Sequence, residues 1–122
     1  MPTIINEFRR GGCYLVSEAP GSQSREVGVV TGGLFQAGQV LGRVTASTKL
    51  TGLNPAATDG SQNAAGILVQ RTDASVADVA ASFTARLSEV NGLVLTWPAG
   101  ITVAQQNAAI AQLAALNIFI RT

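Results

Sequence analysis

Few side chains in this sequence can take part in covalent or acid–base chemistry. There is one cysteine, Cys13, and no histidine, so Ser-His and Cys-His nucleophile pairs and the common zinc sets have no members to recruit. One cysteine cannot form an internal disulfide, and Cys13 reads as a small apolar residue in a strand or arm, the alternative being a reactive thiol. The carboxylates are Glu7, Glu18, Glu26, Asp59, Asp73, Asp78 and Glu89. Two acids share acid–base work only where their surroundings pull their ionisation apart, and no spacing here isolates such a pair. Asp73 and Asp78 lack the alternating oxygen ligands of an EF-hand loop. Neither GxxxxGK nor GxGxxG is present to cradle a phosphate. The residues describe a protein that is not an enzyme, with no cofactor, no metal and no small-molecule substrate.

Charge narrows the partners further. Of 122 residues 12% are charged, 47% are hydrophobic and the net charge is +1, which gives nucleic acid or an anionic membrane little to hold electrostatically. The opening "MPTIINEFRRGG" lacks the basic-then-apolar order of a secretory signal, and no run approaches the ~20 apolar residues of a membrane span. A soluble, cytoplasmically made chain with one domain is expected, working by attachment to something large.

The elements that must support such a role divide into two parts. Residues 1–33 carry short apolar patches, Ile4-Ile5, Tyr14-Leu15-Val16 and Val27 to Val30, separated by "RRGG", "EAPGSQS" and "TGG". The breakers are too frequent for a helix and the patches too short for a self-contained sheet, which predicts an extended amino-terminal arm; the alternative is an edge strand already packed on the domain. Residues 34–122 read as one β-rich domain. In "FQAGQVLGRVTAS" Val40 and Val44 share one face and Leu41 and Arg43 the other, and "AGILVQ" sets Ala65, Ile67 and Val69 against Gly66, Leu68 and Gln70. Between them "NPAATDGSQNAAGIL" supplies corners: Pro55 fixes a φ angle, Asp59-Gly60 favours a tight turn with positive φ, and Ala and Gly allow close backbone approach.

In "DVAASFTARLSEV" and the residues before it, Val76, Val79, Ala80, Phe83 and Leu87 fit a helical face, while Ala81, Phe83, Ala85 and Leu87 alternate; the alternation favours a strand over Ser82 to Leu87, with Glu89 to Asn91 a turn into "GLVLTW", a strand ending at Trp97-Pro98. Trp97 is either a core plug between sheet and helix or an interaction hot spot. Thr102 and Gln105 form a capping box ahead of an Ala-rich helix whose stripe is Val103, Ile110, Leu113 and Ala114. Asn117 is a left-handed stop and "IFIR" a closing strand. The fold class is α+β, mostly β: a small compact domain with one C-terminal helix and an extended N-terminal arm.

Several segments together resemble the head decoration proteins of tailed bacteriophages, the lambda type of capsid-stabilising protein. They are "SEAPGSQSRE", "AGQVLGRVT", "NPAATDGSQNAAGIL", "RLSEVNGLVLTWPAG" and "AAIAQLAALNIFIR", covering nearly the whole chain. The resemblance implies a homotrimer on the outer surface of the expanded virion head, above local three-fold axes, made in a host bacterial cytoplasm. It further implies that the major capsid protein is the partner and that the arm orders on the shell by adding to its strands. Tyr14, Leu15, Val16, Pro20, Arg25, Val27 and Val29 are then the expected capsid-binding side chains, with Trp97 and Pro98 as core or interface anchor. Fold and attachment are expected to separate near residue 30. The alternatives are another virion component of tail or spike, a small enzyme, or a biotinyl- or lipoyl-like carrier domain, which needs a lysine at a hairpin tip, a setting Lys49 in "STKLTG" lacks.

Overall fold

The computed structural model describes residues 12–21 and 23–121. Among these described residues ten strands and one helix follow one another as β1 Leu15–Glu18, β2 Arg25–Val30, β3 Leu34–Phe35, β4 Val40–Arg43, β5 Leu50–Gly52, β6 Ala64–Leu68, β7 Thr72–Asp73, β8 Val79–Thr84, β9 Ser88–Asn91, α1 Val103–Ala115 and β10 Ile118–Arg121. Strands β2-β5-β4-β6-β8 close a barrel, β1-β9-β10 form a separate three-stranded sheet, and β3 pairs with β7.

Two hydrophobic cores result, and the alternation of β4 and β6 explains both. Inside the barrel lie Val30, Leu41, Leu50, Leu68 and Phe83. Tyr14, Val40, Leu53, Ile67, Val90, Leu95, Ala109, Leu113 and Ile118 form the second core, which α1 and the small sheet cover. Neighbouring residues of one strand point to opposite faces, so Val40 and Ile67 enter one core while Leu41 and Leu68 enter the other. A strand buried on both faces needs a continuous apolar run, which "AGIL" provides. Each fully buried Leu or Ile contributes about 1.5–3 kcal/mol.

The stretch of corners folds as the residue types require. The Asp59 carboxylate accepts from the Ser61 amide at 3.0 Å and from its hydroxyl at 2.6 Å, and Gly60 takes φ 109°. The Ser61 hydroxyl, then its amide, hold the Asp59 carboxyl below the usual carboxylate range. This corner passes so close to β4 that a Cβ on Gly42 would lie 2.2 Å from the Ser61 carbonyl oxygen.

The helix begins with the expected box: Thr102 Oγ1 accepts from the Gln105 amide at 3.1 Å and Gln105 Oε1 accepts from the Thr102 amide at 3.0 Å. Asn117 has φ 61° and β10 follows. Ala109 and Leu113 face the core, whereas Val103, placed in the apolar stripe from its spacing, is 73% exposed. It stands in the first turn, beyond the reach of the sheet that covers Leu113.

Three expectations are corrected. Glu89 to Asn91 is not a turn but part of β9, the central strand of its sheet, because β1 and β10 pair with it on either side. "GLVLTW" is not a strand: Asn91 turns the chain, Leu93 is 80% exposed, Leu95 is buried in the second core, and Val94 and Trp97 pack partly buried against it. The boundary near residue 33 is not where the structure divides. Strand β2 pairs with β8 residue for residue from Arg25↔Thr84 to Val30↔Val79 and joins β5 at Val30↔Leu50, so it is a stave of the barrel. Gly28 faces inward, where a Cβ would stand 2.8 Å from Leu50 Cδ1, and Val30 is fully buried. The predicted arm patches at Tyr14 and Val27 to Val30 are strands whose partners lie far along the chain; Ile4-Ile5 lies outside the described residues.

Candidate functional site

Among the described residues no cluster of His, Cys, Asp and Glu could hold a metal ion, and no helix is long and apolar enough to cross a membrane. Cys13 is exposed in the turn before β1. Lys49 stands at the foot of the β4–β5 loop, where its carbonyl accepts from the Val44 amide at 2.9 Å and its ammonium reaches Asp78 at 2.6 Å. Thr48, with φ 61°, turns the loop instead. Several large apolar side chains stand exposed among the described residues, Val16, Val27, Leu87 and Phe119 among them.

Tyr14 must be removed from the surface residues. It is fully buried, its hydroxyl shares a 2.5 Å hydrogen bond with Thr84 Oγ1, and it donates to the Ile67 carbonyl at 3.4 Å. A large ring with one polar tip is most stable where the ring leaves water and the tip finds partners. Burial pushes the phenol from 10.0 up to about 12, opposed by the Thr84 hydrogen bond. Between those values the folded state keeps a proton that the unfolded state has lost, so stability is complete below the lower value and falls as pH rises toward the upper one, by about 3 kcal/mol in all. Tyr14 is the single tyrosine, so phenolate absorbance reads its ionisation directly. It should appear only with alkaline unfolding; Tyr14→Phe should cost about 1–2 kcal/mol at neutral pH and flatten the alkaline loss. Phenolate forming at the ordinary value in the folded chain would show the ring to be solvated.

The other expected contact residues fall on two surfaces. Leu15 is half-buried against the second core, while Val16 is 58% exposed and Pro20 is exposed. Arg25 donates two 3.0 Å hydrogen bonds to Glu18, an ion pair that ties β1 to β2. That partly exposed pair contributes little to stability, and its guanidinium is engaged within the chain. Val27 and Val29 point outward on the barrel wall, 73% and 40% exposed, beside their β8 partners Ser82 and Ala80. The structure therefore sets Val16 and Pro20 on the small sheet's side and Val27 and Val29 on the barrel.

Strand β1 is the edge of its sheet, with Val16, Ser17 and Glu18 exposed along it. Next to it a surface depression of about 290 Å³ is lined by Ser17, Leu87, Ser88, Glu89, Asn117 and Phe119. Register places Ser17, Glu89 and Phe119 side by side across the three strands. Leu87 at φ 53° holds a side chain out at the rim, 45% exposed, and Phe119 is 44% exposed. Sequence reasoning did not select Leu87 or Phe119. Phe119 was detectable as the residue out of phase with Ile118 and Ile120; Leu87 was not, because nothing local announces its positive φ.

Trp97 is half-buried and packs on the second core, and Pro98 lines a separate depression with Asn54, Pro55 and Gly100. The core-plug reading of Trp97 fits this packing. Trp97→Ala should cost about 2 kcal/mol, below the value for a fully enclosed ring; an unchanged urea midpoint would make the ring a surface anchor.

No curated protein matches the chain. A family model described as bacteriophage lambda head decoration protein D matches residues 4–118, spanning both the barrel and the small sheet. With nearly its whole length matched, the chain belongs to the bacteriophage lambda head decoration protein D family, structural proteins of the phage capsid.

Proposed function

We propose that the chain is a cement protein that binds as a homotrimer to the outside of the expanded phage head, above local three-fold axes of the major capsid protein, and stabilises the shell against packaged DNA. The family match across residues 4–118 carries this reading. A protein that binds the expanded shell and not the unexpanded or broken one stabilises the mature state by its binding free energy. Three attachment points on one trimer turn weak single contacts into durable ones. Synthesis in the bacterial cytoplasm belongs to the same proposal.

The attachment device is the open edge of β1 together with the residues that precede it. Strand addition draws affinity from main-chain hydrogen bonds and specificity from alternate side chains. Among the described residues of the predicted arm, β1 lies at a sheet edge, with Val16 exposed on it and Pro20 exposed just beyond. Val27 and Val29 contribute side-chain contact on the barrel wall.

A chain lacking residues 1–11 should remain folded yet pellet with expanded heads about tenfold more weakly, or worse. Binding equal to that of the full chain would move the attachment to the folded base of the protein. Sedimentation of the free chain should give a trimer; a monomer throughout the micromolar range would remove the three-point attachment.

A further inference from the structure

The described chain contains two steps at which an acid or amide side chain precedes glycine, Asp59-Gly60 and Asn91-Gly92. Glycine leaves its backbone nitrogen unhindered, so that nitrogen can attack the side-chain carbonyl carbon before it. At Asn91 the attack forms a bond from Gly92 N to Asn91 Cγ and breaks the Cγ–Nδ2 bond, and ammonia departs with the Gly92 amide proton. Water then opens the five-membered imide at either carbonyl, leaving aspartate or isoaspartate. No oxidant or reductant is needed.

The structure prepares the carbon and restrains the nitrogen. Asn91 Oδ1 accepts from the Leu93 amide at 3.0 Å, which draws electron density away from Cγ. The Gly92 amide donates to the Arg121 carbonyl at 2.8 Å and the Asn91 amide donates to the Tyr14 carbonyl at 2.7 Å. Asn91 stands opposite Arg121, the final pair between β9 and β10. Ring closure therefore requires that the end of β10 lift away and the Asn91–Gly92 peptide turn. Such terminal pairs are the first to open, and the ion pair from Arg121 to Glu89, at 3.5 Å between exposed groups, adds little restraint.

At the other step the Gly60 amide donates to Gln62 Oε1 at 2.8 Å, and the Asp59 side chain is a carboxylate, which presents a poor electrophile and no ammonia to lose. We propose that Asn91 is a deamidation site gated by the last pair of β10, a one-way covalent timer on the small sheet. Its isoaspartate product lengthens the backbone of the central strand by one methylene, and either product puts a new carboxylate two residues from Glu89 on the same strand.

The test ages the full chain and a chain lacking residues 121 and 122 at mildly alkaline pH, and follows the peptide containing Asn91 by mass spectrometry. The shortened chain should convert about tenfold faster, the change expected when the hydrogen bond holding Gly92 is lost, and adding Gly92→Ala should suppress the conversion. Equal rates in the two chains would overturn the gate. Should the shortened chain fail to fold, the intact chain still decides. In urea below the unfolding transition, conversion at Asn91 should rise in step with hydrogen exchange of the Gly92 amide, and conversion independent of that exchange would refute the proposal.

Discussion

A chain that starts at residue 31 should not fold. Such a deletion removes Tyr14 and Val30, both fully buried, one on each side of the molecule, and with them two strands. The loss of β2 leaves one side of β8 without its partner over six residues and opens the barrel. The loss of β1 exposes one side of β9 and leaves the Thr84 hydroxyl without the Tyr14 partner it shares in the interior. Burial of two large apolar side chains contributes about 3–6 kcal/mol, before any account of hydrogen bonds stranded in the opened sheets. That is a large share of the 5–15 kcal/mol by which domains of this size are stable. Circular dichroism and urea titration of chains starting at residues 12 and 31 should give a cooperative transition for the first and none for the second. A cooperative transition in the shorter chain would restore the boundary read from the sequence and make β2 an accessory to the barrel. The fold is thus expected to need the chain from near residue 12 rather than from near residue 30.

Gly42→Ala should be among the most damaging single substitutions outside the apolar cores. The added methyl would stand 2.2 Å from the Ser61 carbonyl oxygen and 2.8 Å from its carbonyl carbon. That carbonyl accepts from the Asn54 amide at 3.0 Å while the Asp59 carboxylate holds the Ser61 amide and hydroxyl, so the corner has no free direction in which to yield. The strand has none either, since Gly42 is paired with both Thr51 and Ala64. A loss of about 3 kcal/mol or more is expected. Gly100→Ala is the comparison: its space is open but its φ is 75°, and it should cost only about 1–2 kcal/mol through backbone strain. The urea midpoints of the two variants check the order. If Gly42→Ala unfolds no earlier than Gly100→Ala, the close approach of β4 and the corner is relieved more easily than its geometry implies.

What could be read from the residues was local. Thr102 and Gln105 meet within one turn of helix, Asn117 needs only its own φ, and Val40/Leu41 and Ile67/Leu68 declare two buried faces through the period of the strand. The misreadings arose where the decisive contact was distant. "REVGVV" alternates an inward Gly28 and Val30 with an outward Val27 and Val29, a pattern indistinguishable from that of a free arm until β8 is placed beside it. Polar "SEVN" became a central strand because the chain's other segments flank it. The proposed contact surface was legible at Val16 and Pro20, but Tyr14 could not be told from its neighbours, since its burial depends on Thr84 and Ile67. Phe119 and Leu87 joined Ser17 only through the register of three separated strands.

That register also sets the order of events in folding. Strand β9 waits for β1, which is made long before it, and for β10, which follows the helix; Leu15 pairs with Val90, and Val90 with Ile120. A nascent chain therefore carries β1 without its partner through most of its synthesis, and the helix emerges before the last strand of the sheet it helps to cover. Closing loops of this length before any contact rewards them slows the search, and predominantly non-local β topologies fold on the scale of milliseconds to seconds, more slowly than helical bundles. Assembly of the small sheet is accordingly a late step, completed after translation has delivered β10, and until then the side of β1 that receives β9 is open to pairing between unfinished copies.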